Sequence, residues 1–303
     1  MQAHGRAPHV ALLGDGNEIL ELRQTHGAKF STAARSKRYW IARGADRQSQ
    51  GMAIEILGAA EVAAMRRAGR AAAATLAAIA ARIAPGISTG DIDGWVREDT
   101  RRRGGRPSQL GFHGFPAAVC TSRNAVVCHG IPNPRERLAP GDIINVDVTT
   151  ELAGFHGDTS ATLFVGAPGA EARHVVETAR RCRDAGVAEV RAGARIGDIG
   201  AAIEELAARE GCSVVRDLGG HGIGRAMHMP PTIVHVGPPG TGLRLREGMA
   251  ITVEPMINLG RPEVRQLADG WTIVTADGSL SAQFEHTVLV TRDGCEILTP
   301  APA

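Results

Sequence analysis

Hydrophobic and polar positions change their rhythm several times along this chain. Over about residues 59–83, alanines and larger apolar residues recur at helical spacing among arginines, and a similar pattern returns over 168–191. A second helical pattern follows each, over about 89–103 and 196–210. Ser88 and Asp91 have the residue types and the spacing that close a helix N-terminus. After each helix pair, apolar and β-branched runs take over; Ile143-Ile144-Asn145-Val146-Asp147-Val148 is the clearest. Helices followed by strands, twice over, predict an α+β fold with the helices on one side.

The repetition extends to individual residues. The stretch PGISTGDIDGWVRE from Pro85 matches AGARIGDIGAAIEE from Ala192, and LAPGDIINVD from Leu138 matches LREGMAITVE from Leu245. Asp91 and Asp198 are 107 residues apart, and so are Asp147 and Glu254. LGFHG at Leu110 matches LGGHG at Leu218, one residue off that spacing. A unit this long exceeds a solenoid repeat. It predicts two pseudo-symmetric halves of one domain, and a site shared between them would draw equivalent carboxylates from each.

Some of the strand residues are out of place. Aspartate is disfavoured in strands, and a buried carboxylate without a partner is costly. Asp147 nevertheless interrupts its apolar run, and Asp158 follows a turn at Leu152-Ala153-Gly154. A hairpin turning at Leu152-Ala153 would set Asp147 directly opposite Asp158 on one face. Two like charges so placed repel, unless one is protonated or a cation lies between them. The second half supplies Glu254 in ITVEP, Glu285 in AQFEHTVLV and His221 in GGHGIGR. Four carboxylates and one imidazole suit two hard-to-borderline divalent ions such as Mn, Fe or Co, whereas zinc alone usually draws more nitrogen or sulfur. A single strand aspartate is more often an edge or surface residue; five misplaced polar residues, paired through a repeat, reverse those odds. GHGIG lacks the spacing of a dinucleotide loop, and neither G-x-S-x-G nor H-E-x-x-H occurs. His129, in VVCHGIP, and His228, seven residues after His221, also look placed.

Composition narrows the setting. The chain has 303 residues, 43% of them hydrophobic, and a formal net charge of +2, enough for one large or two small cores. No apolar run has the length of a membrane span, and the start lacks the pattern of a secretory signal. Its five cysteines form no CxxC pair, so neither a disulfide framework nor a zinc–cysteine site is expected, and a reducing cytoplasm fits. Residues 1–51 hold eight Lys/Arg against four Asp/Glu, together with both lysines of the chain. They read as a weakly ordered basic extension before a catalytic domain over 52–303, and Met52 could itself be a start. RSKRYW could contact nucleic acid, although a solvated tail is the plainer reading.

Several stretches together, VVCHGIP, INVDV…GFHGDTS, GHGIGRAMH, ITVEPMI, DGWTIVTADGSLSAQFEHTVLVT and GCEILT, resemble a type I methionine aminopeptidase over about residues 55–299. The resemblance implies the pita-bread fold and removal of the initiator methionine from nascent chains with a small second residue. It implies two divalent ions, Co, Mn, Fe or Zn, with Asp147, Asp158, His221, Glu254 and Glu285 as ligands. Asp158 and Glu285 would bridge both ions, Asp147 would hold one, and His221 and Glu254 the other. The metals would activate a water for attack on the peptide carbonyl, with Glu254 as the candidate general base. His228 would contact the scissile carbonyl oxygen and His129 the scissile nitrogen. His113, Cys120 and Trp271 match the methionine pocket, whereas Gln109, Phe112, Phe115 and Met227 depart from it; the family often has Cys-Leu-Gly-Tyr-His-Gly-Tyr-Pro where this chain has QLGFHGFP. The implied protein is a cytoplasmic monomer acting on nascent N-termini, with the ribosome as a further partner of the basic extension. A prolidase-like enzyme of the same fold, or an inactive binding module, are the alternatives; the first usually carries a larger N-terminal domain, and the intact ligand set argues against the second.

Overall fold

The two Gly-Asp-Ile triplets of the repeat each build a helix start. In the computed structural model, which describes residues 54–300, the first half opens with helices α1 (Ala59–Ala80) and α2 (Thr89–Arg102). The second half opens with α3 (Ala170–Ala188) and α4 (Ile196–Arg209). At α2 the Ser88 N–H donates to the Asp91 carboxylate at 2.7 Å, and the Asp91 N–H donates to Ser88 Oγ at 3.1 Å. At α4 the Asp198 carboxylate takes the Arg195 N–H at 2.7 Å. Both aspartates thus satisfy backbone donors that a helix start leaves open. The isoleucine that follows, Ile92 or Ile199, is fully buried in the core of its own half. The preceding glycine lets a loop press against the helix. A Cβ on Gly90 would sit 2.7 Å from the Pro134 nitrogen, and one on Gly197 would sit 2.4 Å from the Pro238 carbonyl oxygen. Isolated strand bridges join Ser88 to Arg137 and Arg195 to Arg244, again 107 residues apart, so the pseudo-symmetry holds in backbone hydrogen bonding as well as in sequence.

The strands of the first half are β1 (Arg106–Pro107), β2 (Cys120–Arg123), β3 (Val126–Cys128), β4 (Ile143–Leu152) and β5 (Phe155–Phe164). Those of the second are β6 (Ser213–Val214), β7 (Gly220–Gly222), β8 (Met229–Ile233), β9 (Ala250–Val253), β10 (Met256–Asn258), β11 (Val264–Gln266), β12 (Ile273–Thr275), β13 (Ser281–Gln283), β14 (His286–Val290) and β15 (Cys295–Ile297). One sheet centres on β4, with β5 along one edge and β1 and β2 sharing the other. A second runs β15-β14-β9-β7-β8, and two small sheets, β13-β10-β6 and β11-β12-β3, complete the framework. Helix α1 packs on β4 and β5, while α3 and α4 pack together over strands of the second half. The halves meet where β5 runs beside the segment leading into β14: the Glu285 N–H donates to the Ser160 carbonyl at 3.0 Å, and Thr287 Oγ1 donates to the Asp158 carbonyl at 2.8 Å.

The β4–β5 hairpin corrects one expectation. Its two loop residues are Ala153 and Gly154, one position later than the sequence suggested, so Asp147 faces Ser160 and Asp158 faces Thr149. Ala153 and Gly154 both have positive φ, 54° and 81°. That matches the hairpin turn whose twist suits the flanking strands, and glycine tolerates it at no steric cost. Asp147 and Asp158 are therefore diagonal neighbours rather than direct partners, and they still share a face because the register moved by an even number of positions.

The α+β reading and the four helices stand, each helix within a few residues of its expected span. None of the described helices is long and apolar enough to cross a membrane. The expectations for residues 1–51, including RSKRYW and a start at Met52, lie outside the described residues. The close approach at the helix starts has a direct test in thermal unfolding. Gly197→Ala is expected to lose about 1–3 kcal/mol, because the Cβ meets backbone that must move. Gly94→Ala, on the exposed face of α2 with open space around it, is expected to gain about 0.5–1 kcal/mol from helix propensity.

Candidate metal centre

Five ionisable side chains converge at the seam between the halves. Strands β4 and β5 deliver Asp147 and Asp158, and β7 delivers His221. Glu254 directly follows β9, and Glu285 directly precedes β14. Asp158, His221, Glu254 and Glu285 are buried, and Asp147 keeps partial access to solvent. One ligand atom each from Asp158, His221 and Glu285 lies within 4.8 Å of the other two. Around this trio, His221 Nε2 is 3.5 Å from Glu254 Oε1, and Asp147 lies close enough to Asp158 for each carboxyl to shift the other's proton affinity.

Burial decides which groups of this cluster keep their protons. His221 Nδ1 is 3.0 Å from the Gly222 carbonyl oxygen, which fixes the N–H on that side and leaves Nε2 with its lone pair toward the carboxyls. Burial lowers the His221 pKa to about 4, so the ring is neutral at pH 7. Burial raises the carboxyls: Asp158 to about 6, and Glu254, further pushed by the charge on Asp158, to about 8. Asp147 and Glu285 are held well above the usual carboxylate range, again by burial first and by the Asp158 charge second. Partial compensation comes from donors. Thr149 Oγ1 donates to Asp158 Oδ1 at 2.7 Å, Thr252 Oγ1 to Glu254 Oε1 at 2.8 Å and Gln283 Nε2 to Glu254 Oε2 at 3.1 Å. Glu285 Oε1 is buried with no hydrogen-bond partner. An oxygen without a donor, facing a bare imidazole nitrogen and further carboxyls, is the environment a divalent cation satisfies. The donor set therefore fits metal.

A ring-lined wall adjoins the cluster. His228 lies edge to face with His221, centroids 4.2 Å apart, and with Phe112 at 5.0 Å; Phe112 in turn meets His113 at 4.3 Å. Burial holds His228 well below its ordinary pKa, and the charges that His221, His129, His113 and His156 could carry press the same way. His129 is held at about 4 by burial. His129 and His113 both adopt left-handed backbone, φ 55° and 47°, a conformation that persists where the surroundings over-determine it. Phe115, Ala117 and Cys120 form a small apolar cluster with Ile131 and Trp271 against it, and Phe115 and Trp271 rings are 5.1 Å apart. Cys120 is the register partner of Asp147 across β2 and β4, which places this apolar cluster beside the acidic side chains. Met227 is buried next to His228.

The structure also brings in residues that the sequence did not single out. His235 is buried, and its Nε2 accepts the Glu254 N–H at 3.2 Å, steering that carboxylate from behind. Ile131 joins the apolar cluster, although nothing in the chain marked it beyond its place after His129. Gln109 does not end in the apolar cluster; its amide bonds to β4 at Asp147 and Thr149.

A fold of two pseudo-symmetric halves with an acidic, histidine-bearing seam defines a class. The model of metallopeptidase family M24 matches residues 63–292, and the chain belongs to that family. The architecture is accordingly the pita-bread fold. Within it, methionine aminopeptidase B of Synechocystis sp. is 52% identical over 253 residues, covering 82% of this chain and 92% of the relative. The crystal structure of methionine aminopeptidase from Rickettsia prowazekii superposes with a TM-score of 0.80 at 44% identity, covering 82% of this chain and 100% of that one. An Xaa-Pro dipeptidase from Bacillus anthracis is similar at a TM-score of 0.66 and 21% identity, covering 82% of this chain and 62% of that one, a likeness of fold alone.

If cation binding relieves the buried carboxyls, metal-free and metal-loaded stability should respond oppositely to their removal. Asp158→Asn and Glu285→Gln are each expected to melt no lower than wild type in chelator, because a repelling buried group is gone. Both should lose the rise in melting temperature that added Mn²⁺ gives the wild type. An undiminished Mn²⁺-dependent rise in both variants would remove these residues from the ligand set.

Proposed function

We propose that the protein is a methionine aminopeptidase that hydrolyses the first peptide bond of chains beginning with methionine. The observation that carries this reading is the apolar cluster of Phe115, Cys120, Ile131 and Trp271 set directly beside the acidic seam, in a chain 52% identical to a methionine aminopeptidase along almost the whole of that relative. Two divalent ions would be held by Asp147, Asp158, His221, Glu254 and Glu285. Such ions supply a lowered pKa for the attacking water and positive charge for the developing oxyanion.

The protein's own groups have the remaining tasks. The apolar cluster receives the methionine side chain, which an aromatic and sulfur-compatible lining suits. Glu254, steadied by Thr252, Gln283 and the His235 contact to its backbone, takes the proton of the attacking water on its carboxylate. That proton passes to the nitrogen of the breaking bond, so the products are free methionine and a shortened chain with a new amino terminus. His228 and His129, both half-buried, are neutral at pH 7 because desolvation lowers the proton affinity of each ring. A neutral imidazole donates through one N–H, and His228 does so to the carbonyl oxygen as negative charge develops there. His129 stands toward the leaving nitrogen. The chain of rings from His113 through Phe112 to His228 crowds the side where the second residue would enter.

The same reading places the protein in the cytoplasm, as a monomer acting on nascent chains, with its basic N-terminal segment contacting the ribosome. Against it stands a prolidase-like activity, which the lower identity to the Xaa-Pro dipeptidase does not favour.

Two measurements test the proposal. A panel of Met-X-Ser peptides should be cleaved when X is Gly, Ala, Ser, Thr, Pro, Val or Cys and resisted when X is Lys or Leu, while Gly-Pro peptides should not be turned over; equal cleavage of Met-Ala-Ser and Met-Lys-Ser would contradict it. In His228→Ala, kcat should fall about 10²–10³-fold, the usual cost of one positioned transition-state donor, with metal content unchanged. Loss of metal with full activity per bound ion would instead make His228 a ligand.

A further inference from the structure

Strand β4 has one edge fully covered by β5, but its other edge is covered in two pieces. Strand β2 pairs with it as far as Asp147, and β1 resumes at Thr150. In the gap, the Ser108 N–H bonds to the Thr149 carbonyl at 2.9 Å. Two further backbone groups there, the Asp147 carbonyl and the Thr149 N–H, are met by one side chain. Gln109 Nε2 donates to the Asp147 carbonyl oxygen at 2.9 Å, and Gln109 Oε1 accepts the Thr149 N–H at 3.2 Å. The amide thus stands in for the missing length of strand. It is itself buried, only 5% exposed, so neither half of it can exchange its partner for bulk water without cost.

The same Nε2 lies 3.4 Å from Asp147 Oδ1. Thr149, held by the other end of the amide, donates its hydroxyl to Asp158 Oδ1 at 2.7 Å. One side chain therefore touches the Asp147 carboxylate directly and reaches the Asp158 carboxylate through Thr149. Asp147 is also the most solvent-accessible of the five groups, and so the one with most freedom to turn away.

We propose that Gln109 is a positioning residue for Asp147: its two-ended grip on β4 fixes the Asp147 carboxylate toward the seam and so strengthens the divalent ion held on that side. The inference rests on the reading of Asp147 as a metal ligand. Groups that orient ligating carboxylates from behind typically contribute about 10–100-fold to metal affinity. A residue of another length or without the amide, such as Met or Cys, can fill the space but cannot hold both ends of the gap.

The test uses Co²⁺ titrated into the metal-free full-length protein, followed by calorimetry and by the visible absorption of the bound ion. Wild type, Gln109→Met, Gln109→Cys and Asp147→Asn are compared, each with its melting temperature in chelator. The expected result is that Gln109→Met binds one Co²⁺ about 10–100-fold more weakly, with an altered absorption spectrum, while the other ion binds as in wild type and the metal-free protein stays folded. Gln109→Cys gives the same comparison should the Met variant fail to fold. Wild-type affinities and spectrum in the folded Gln109 variants, with Asp147→Asn impaired, would overturn the positioning role alone. Two ions bound normally by Asp147→Asn would overturn the ligand reading and this inference with it. A merely structural role would lower the melting temperature in chelator and leave Co²⁺ affinity and spectrum unchanged, which also overturns it.

Discussion

Four carboxyl groups and an imidazole nitrogen bearing no proton face one another at the seam, and desolvating them is the cost around which the site is arranged. Charges of one sign at these distances repel strongly once water is removed. The protein answers with hydroxyl and amide donors, Thr149 on Asp158 and both Thr252 and Gln283 on Glu254, but leaves one oxygen of Glu285 without a donor. Donors enough to quiet every oxygen would have made the centre stable without an ion and indifferent to one. The incomplete compensation leaves the cluster with the unmet polarity that a divalent cation would satisfy.

The pseudo-symmetry explains how so many acids come to lie in one place without a dedicated acidic segment. Each half brings two helices followed by strands, with Asp147 inside β4 and Glu254 immediately after β9, 107 residues apart. The helix starts are built alike, with Asp91 and Asp198 taking backbone donors and Ile92 and Ile199 sinking into separate cores. The halves meet along β5 and the approach to β14, so the cluster is held from both sides. Asp147, Asp158 and His221 within paired strands, with Glu254 and Glu285 at strand ends, hold their separation better than side chains on one loop would, which is the condition for preorganised chemistry.

The parts of this arrangement legible in the sequence were those written in residue type and spacing. The Ser88–Asp91 cap followed the rule for a helix start and the repeat recurred at a fixed spacing, while the misplaced acids broke a local rule that strands otherwise follow. The hairpin register was missed because its turn type depends on two positive φ values, one of them at Ala153, and alanine gives no sign of a left-handed conformation. His235 and Ile131 carried no signal, since a buried histidine and an isoleucine are ordinary wherever they occur. Gln109 was visible only as a difference from the resembling family. Its meaning lies in a gap between two short strands, and no periodicity in the chain marks where pairing stops.

Burial also settles which protonation states the site can use. The same desolvation acts in opposite directions on the two residue types, raising acids and lowering histidines. His129, His221 and His228 are consequently neutral across the physiological range, so each offers one lone pair and one N–H. For His221 the N–H is taken by the Gly222 carbonyl and the lone pair is what remains for a cation. For His228, which lies edge to face with the Phe112 ring and the His221 imidazole, protonation would place a positive charge beside the groups that could meet a cation. Uncharged rings at this wall add no positive charge that would repel a cation approaching the carboxyls. The carboxyls, held high by burial while empty, give up their protons as metal enters, so metal binding is itself a proton-releasing step.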